Sequence, residues 1–498
     1  MRMETQLCFC GKLPWWRSIV TAALVLVFLV LSGSQRANAL PAFARKYGLR
    51  CSACHESWPM LNYFGQKFKD NGYQMMNDRD APIWQNPGYW PVTFRITPIW
   101  HRVSTGKALI DTYAGGAVTG QAQTRLETSG FDLSGLDFHT GGTLEKNISF
   151  YVLPSSDPTA AFHFETVMGR LDNLFHSPWI NIKFGRFELD NLLSEKRILT
   201  LTANGGIYQL YHFRPQGDNN LMGAIGDNQL GAELMGHSVN DRTRYSAALV
   251  SSSDGNVNLV DTSNAYTGFF TASQAFDAGR MGVQRIGAYA MVGQTSTYFR
   301  TLTTAGVTSL INGTGIGNKG FHREGFVGQF YFGPHVDVQV VTQHGWDNVW
   351  LGQGYGNALN PSDGAAGATS LPNNTPGTVL NPGSQAPTWN GVLIEPHYVY
   401  SPQLIFIGRY ETMRMSRQAN GPDYGAAAVS PSGVTGPSAS NFGNVSTFTV
   451  GYRYNPFMTS RAGFAWHNEY NWLHTDGIAP DGTALNTSEL LIGFDFDF

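Results

Sequence analysis

From about Val92 to Phe498 the chain reads as segments of roughly ten residues in which apolar and polar side chains alternate, separated by Gly, Pro, Asn, Asp and Ser. At the C-terminus Leu490, Ile492, Phe494, Phe496 and Phe498 fall on one face, and Gly493, Asp495 and Asp497 on the other. Phe448, Val450, Tyr452 and Tyr454 stand in the same way against Thr447, Thr449 and Arg453, as do Val336, Val338 and Val340 against Asp337, Gln339 and Gln343. An apolar face opposite a polar one, repeated in short segments, is the pattern of a transmembrane β-barrel with lipid outside and water inside.

The connections carry a second regularity. Working back from the C-terminus, short ones are expected at Asn455-Pro456, Ser401-Pro402, Gly333-Pro334, Asp277 to Arg280 and Asn240 to Arg242. Long ones fall between them, at about Thr475 to Asn486, Ser416 to Asn441, Gly352 to Pro387, Thr301 to Gly320 and Ser253 to Asn264. This alternation gives eleven strands from Asn228 onward. Five more are expected near Val92 to Val103, Phe131 to Thr143, Ile148 to Leu153, Ala160 to Met168 and Trp179 to Leu189. The fold class is therefore an all-β transmembrane barrel of about 16 antiparallel strands over 90–498. An even total puts both barrel ends on the periplasmic side and leaves Asp190 to Gly226 as a long extracellular or inward-folded loop; a strand-like stretch at Ile198 to Phe213 allows the count to shift by two. A soluble sandwich or propeller would not need the wholly apolar outer face and terminal Phe of the last strand.

Upstream the pattern changes. Ile19 to Leu31 is a 13-residue apolar run, too short for a spanning helix, preceded by Arg2, Lys12 and Arg17 and followed by Ala37-Asn38-Ala39. These features predict a signal peptide over 1–39 and a mature chain of 498 − 39 = 459 residues, delivered to an oxidising compartment. With 33 Lys and Arg against 36 Asp and Glu and no basic run, nucleic acid is excluded as a partner. The 57 glycines and 13% aromatic residues fit turn-rich β structure. No Ser-His-Asp elbow, phosphate-binding Gly loop with Lys, or H-E-x-x-H is present.

Of four cysteines, Cys8 and Cys10 lie in the expected leader, so Cys51 and Cys54 remain. They stand in Cys51-Ser52-Ala53-Cys54-His55, the C-x-x-C-H pattern in which two thiols form thioethers to haem vinyls and the adjacent His ligates the iron. The competing use, a thioredoxin-type disulfide, needs a βαβ neighbourhood that this segment does not offer. One covalent haem c is thus expected in a small helical cytochrome segment over 40–86, held by Cys51 and Cys54 with His55 as proximal ligand. Met60, Met75 and Met76 are the nearby thioether candidates for the sixth iron position; Met75 or Met76, following the turn Asn71-Gly72-Tyr73, is the expected one. The other reading of these methionines is packing against a wall or the porphyrin.

Pro41-Ala42-Phe43-Ala44-Arg45, the haem motif, Pro59-x-Leu61-Asn62-x-Phe64-Gly65-x-x-Phe68-Lys69 and Gly72-Tyr73 resemble the cytochrome segment of the fused outer-membrane cytochrome-porins of iron-oxidising bacteria. The resemblance covers about 35 residues; the rest agrees in architecture alone. It implies a bacterial outer-membrane protein whose cytochrome caps or plugs the periplasmic end of the barrel. Electrons would pass from extracellular Fe(II) to a periplasmic carrier, an Fe(II) oxidation activity. The alternatives are a haem conduit for another donor or for outward flow, and a diffusion porin whose cytochrome is a gate or sensor. Arg95, His101, His397, Arg409, Glu411, His467 and Glu469 are expected to face inward, where they could hold the plug, bind haem propionates or line a path. The oligomeric state is left open.

Overall fold

The computed structural model describes the barrel strands, the turns joining them at one end and, of the N-terminal segment, residues 41–57, 60–75, 80 and 82; residues 1–40 and most of the long connections lie outside the described residues. The expected signal peptide falls among the latter, as does all of the Ile198 to Phe213 stretch except Leu210 and Tyr211.

Sixteen strands close into an antiparallel barrel in which each strand pairs with its chain neighbours. The first eight are β1 (Val92–Ala114), β2 (Ala117–Glu145), β3 (Ile148–Ser156), β4 (Phe162–Leu171), β5 (Asn181–Glu188), β6 (Asn228–His237), β7 (Thr243–Ser251) and β8 (Tyr266–Asp277). The rest are β9 (Val283–Ser296), β10 (Asn318–Tyr331), β11 (Val336–Asp347), β12 (Thr388–Ser401), β13 (Leu404–Arg417), β14 (Val445–Met458), β15 (Gly463–Thr475) and β16 (Leu485–Asp497). The seam closes between the last strand and the first, with Ile492 opposite Trp100 and Phe496 opposite Ile96. Closure leaves no edge strand with unpaired main-chain groups, which hydrocarbon would not tolerate. The count of five strands before the Asp190 to Gly226 connection and eleven after it matches the expectation from the alternation.

The faces also follow the pattern. On β16 Glu489, Asp495 and Asp497 are buried inward, while Leu490 and Phe496 are exposed outward. On β14 Thr447, Thr449 and Arg453 are buried while Phe448 and Val450 are exposed. An outer surface of Phe, Val, Tyr and Leu around an interior rich in charge is that of a membrane-spanning wall, and the protein is an outer-membrane-type barrel.

Three details differ from expectation. The hairpin of β1 and β2 continues to Ala114 and Ala117, well past Val103 and Phe131, with register shifts at Thr97/Pro98, Thr105/Ala108 and Thr112/Tyr113. Among its described side chains Thr119, Thr124, Arg125, Leu126, Glu127 and Thr128 are all exposed, so it lacks the alternation that marks the lipid-facing part. Asn455-Pro456 is not the β14–β15 turn: strand pairing resumes at Phe457 after a register shift. A proline without an N–H is accommodated at such an irregularity, whose Asn455 N–H instead donates to the Gln403 carbonyl at 2.7 Å. Finally, the interior is not lined by polar groups alone. Phe269, Met291, Phe321, Leu393, Met413 and Val445 point inward and form one buried cluster with Leu210, Tyr211 and Ile225. The Asp190 to Gly226 connection therefore folds into the lumen at its described residues. The Leu210 N–H donates to Glu411 at 2.7 Å, and a Cβ at Gly391 would stand 2.6 Å from Leu210 Cδ1, so glycine makes room for the loop.

Candidate haem-attachment site

The N-terminal segment comprises α1 (Pro41–Tyr47), α2 (Cys51–Cys54), α3 (Tyr63–Asp70) and a two-strand ladder pairing His55–Ser57 with Met60–Leu61. Its helices are too short to be stable alone, and they share a small aromatic core. Phe43 stacks on Tyr73 at 4.9 Å and meets Phe68 edge-on at 5.4 Å, Tyr47 also meets Phe68 at 5.4 Å, and Tyr73 lies 6.1 Å from Tyr151 of β3. The motif residues quoted above thus have physical jobs. Asn62 caps α3, its side-chain oxygen accepting from the Gly65 N–H at 2.9 Å, while its amide donates to the carbonyls of Ala53 (3.1 Å) and Ser52 (3.3 Å). Gly65 lets α3 lie directly on the attachment turn, because a Cβ there would fall 2.8 Å from the Cys54 carbonyl carbon. Gly72, at φ +70°, ends the helix in the left-handed region where other residues are strained.

Cys51 and Cys54 bracket the single turn of α2, and His55 follows at once, 9% exposed. Burial pushes the Cys54 thiol up to about 11. Glu56, accepting from the Tyr331 hydroxyl of β10 at 2.9 Å, is raised to about 7 by burial and, secondarily, by the nearby Asp337 carboxylate. Met75 packs partly buried against the aromatic core, and its N–H donates to Asp80 at 2.7 Å; Met76 lies outside the described residues. Met60 is 1% exposed, lies against Ile405 and Ile407 of β13, and has its sulfur 3.1 Å from the Gln339 amide nitrogen of β11. A buried imidazole directly after a two-cysteine turn that Asn62 and the close approach of Gly65 hold in place fits covalent haem.

The wall residues that grip this segment were not singled out in the sequence. Arg170 of β4, 3% exposed, donates to the main-chain carbonyls of Lys69 (2.8 Å) and Asp70 (2.9 Å) while pairing with Asp172 at 2.6 Å. Arg244 of β7 reaches the Asp70 carboxylate at 3.0 Å. Arg45 donates to the Val92 carbonyl at 2.7 Å, Lys46 to Thr143 at 2.7 Å, Thr93 accepts from the Ala42 N–H at 3.2 Å, and the Tyr63 hydroxyl donates to the Asn240 carbonyl at 2.6 Å. All these anchors stand at the end where the strands are joined by short turns. Their signal was position: inward polar residues beside short turns, near where the chain enters β1.

Of the seven inward candidates His397, Arg409, Glu411, His467 and Glu469 are buried while Arg95 and His101 are partly exposed, and the structure spreads them over separate groups. Arg95 pairs with Asp137, and His101 lies 3.3 Å from Glu489. His467 stands 3.6 Å from Asp495, which also holds Arg453 at 3.2 Å. Glu411 accepts from Leu210, and Glu469 is buried. His397 sits between Asp337 (2.9 Å) and Glu395 (2.6 Å), and Arg409 pairs with Glu395. Among the described residues no set of three His, Cys, Asp or Glu side chains is placed to hold a metal ion.

No family model and no curated protein matches the sequence. Solved structures of similar shape include an outer membrane protein of Vibrio cholerae, OmpT, in a loop-deleted form (10% identity, 82% of this chain, 100% of that one, TM-score 0.44). The outer membrane channel DcaP of Acinetobacter baumannii (11%, 82% and 97%, 0.44) and an anion-selective porin from Comamonas acidovorans (10%, 82% and 99%, 0.42) are others. The membrane assignment rests on the chemistry of the wall itself.

Proposed function

We propose that the chain is a monohaem c-type cytochrome fused to an outer-membrane barrel, carrying electrons from extracellular Fe(II) to a periplasmic carrier. What supports this reading is that His55 is buried and the adjoining Glu56 and Met60 meet Tyr331, Gln339, Ile405 and Ile407 of the wall near its short turns, which face the periplasm in bacterial barrels. Cys51 and Cys54 would hold the haem and His55 its iron, with Met75 or Met76 as sixth ligand. Covalently bound haem supplies one-electron redox chemistry there.

The chain's own residues orient and insulate. Asn62 and Gly65 fix the attachment turn, Arg170 and Arg244 pin α3 to β4 and β7, and Tyr331 holds Glu56 beside the motif. The apolar cluster around Leu210 and Tyr211 excludes water from part of the interior, which favours a conduit over free diffusion of solutes. The inward polar rows of β14 and β15, with Thr447, Thr449, Glu469 and Asn471, favour a second reading, a diffusion porin with the cytochrome as gate.

The test is to mix the purified, oxidised, haem-loaded protein with Fe(II) without oxygen, across acidic to neutral pH, while following the haem absorption band. Prompt reduction is expected. Reduction by dithionite but not by Fe(II) would sink the donor, steady ion conductance through single reconstituted barrels would favour the porin, and absence of covalent haem would overturn the whole reading.

A further inference from the structure

The lumen arginines differ in one respect. Arg170, Arg323 and Arg453 each direct a terminal guanidinium nitrogen at a carboxylate, of Asp172 (2.6 Å), Asp347 (2.7 Å) and Asp495 (3.2 Å). Arg409, whose side chain is 0% exposed, uses only Nε, toward Glu395; among the described residues neither Nη1 nor Nη2 has a hydrogen-bond partner, although both are buried. Glu395 cannot offer more, since its other oxygen is 2.6 Å from His397 Nε2, and His397 is turned on its far side to Asp337 at 2.9 Å. The outer fork of this buried guanidinium is thus left open. Buried charged donors of this kind require an acceptor, and two parallel N–H groups match a carboxylate best.

The position of Arg409 says which carboxylate. On β13 the inward residues run Ile405, Ile407, Arg409. The first two carry Met60 of the attachment segment, whose sulfur is also 3.1 Å from Gln339, the β11 residue opposite Glu395. The Gln339 side-chain oxygen is likewise buried and unpartnered. An open guanidinium fork therefore stands one inward step beyond the residue on which the haem-motif hairpin rests. We propose that Arg409 binds a haem propionate through its two Nη groups, fixing the porphyrin against the β11–β13 wall and holding a positive charge beside it. This rests on the haem reading above.

A fixed positive charge favours the reduced haem, which carries one positive charge fewer. The test is a redox titration of the haem-loaded full-length protein, with Arg409→Gln and, so that Glu395 is not left as a lone buried charge, the double variant Arg409→Gln/Glu395→Gln. Covalent haem is checked first by mass. Both variants should keep the haem; Arg409→Gln should lower its midpoint so that the oxidised form is favoured about tenfold at a given mediator potential, about 59 mV for one electron, and the double variant, which also removes a negative charge, should lower it by less. Arg409→Lys should recover most of the shift, because the charge remains. A midpoint equal to wild type in both Gln variants, with haem present, would overturn the propionate assignment and leave the conduit reading intact. A wild-type protein without covalent haem would remove both.

Discussion

Arg170 is the strongest single link between the attachment segment and the wall, and its loss has a calculable effect. Its two bonds to the Lys69 and Asp70 carbonyls, at 2.8 and 2.9 Å, come from one buried cation. Hydrogen bonds from a charged donor contribute about 1.5–3 kcal/mol each, so taking the lower figure for both gives about 3 kcal/mol holding the C-terminal turn of α3 in place. At about 1.4 kcal/mol per decade, the population of an opened α3 should rise roughly a hundredfold in Arg170→Met. Among the described residues the same substitution leaves buried Asp172 the Ser149 hydroxyl, 2.9 Å away, as its side-chain partner, and would destabilise β4 as well. Arg170→Met/Asp172→Asn separates the two effects by removing the stranded charge. Hydrogen exchange of the 63–75 region, followed by mass spectrometry in detergent, reads the opening directly. In both variants exchange there should accelerate by about two orders of magnitude while protection of β11–β16 is retained. Exchange within threefold of wild type in both would refute the view that Arg170 anchors the segment.

Two further outcomes follow from the attachment turn. Gly65→Ala should abolish covalent haem incorporation while leaving a folded barrel, because the new Cβ would collide with the Cys54 carbonyl and lift α3 off the turn; haem content against heat-modifiable gel migration checks this, and normal haem loading would count against the close approach. In protein produced without haem attachment, Cys54, pushed from an ordinary 9.0 to about 11, should present about a hundredfold less thiolate at pH 7 than an exposed thiol; its alkylation should be correspondingly slow in the folded protein, quicken with rising pH only toward 11, and speed up on denaturation.

The barrel was legible because membrane walls impose a strict rule: every strand must show lipid one face and the interior the other, so period two survives from β3 to β16. It failed where that rule lapses. Past Val103 the β1–β2 hairpin leaves the apolar belt, and with Arg125 and Glu127 exposed there is no alternation to read. Pro456 looks like a turn residue, yet a bulge accommodates it equally well. The inward apolar residues Leu393 and Met413 obey period two but carry the opposite polarity from their neighbours Glu395 and Glu411, and only the inward fold of Leu210 explains them. At the site, the C-x-x-C-H spacing at Cys51, Cys54 and His55 is local and readable, and its use for haem is our proposal, whereas Arg170 and Arg244 act over about a hundred residues or more of sequence, and no local pattern encodes that pairing.

The same contacts bear on whether the attachment segment moves. A gate must have a second state of comparable free energy, since ligands or voltage can shift an equilibrium only by their differential effect on the two states. Withdrawing this segment would strip Arg170 of two acceptors, part Arg244 from Asp70, uncover Met60 from Ile405 and Ile407, and separate Tyr73 from Tyr151. The charged groups on the wall side would stay buried with Asp172 and Asp241 as their remaining partners. The two Arg170 bonds contribute about 3 kcal/mol by the figure above and parting Arg244 from Asp70 about 3–5 kcal/mol, which together exceed the roughly 5.5 kcal/mol that carries a two-state switch from one extreme to the other. A segment held this way is a fixed mounting rather than a lid, which is what a redox centre needs if its distance to donor and acceptor is to stay constant from one turnover to the next.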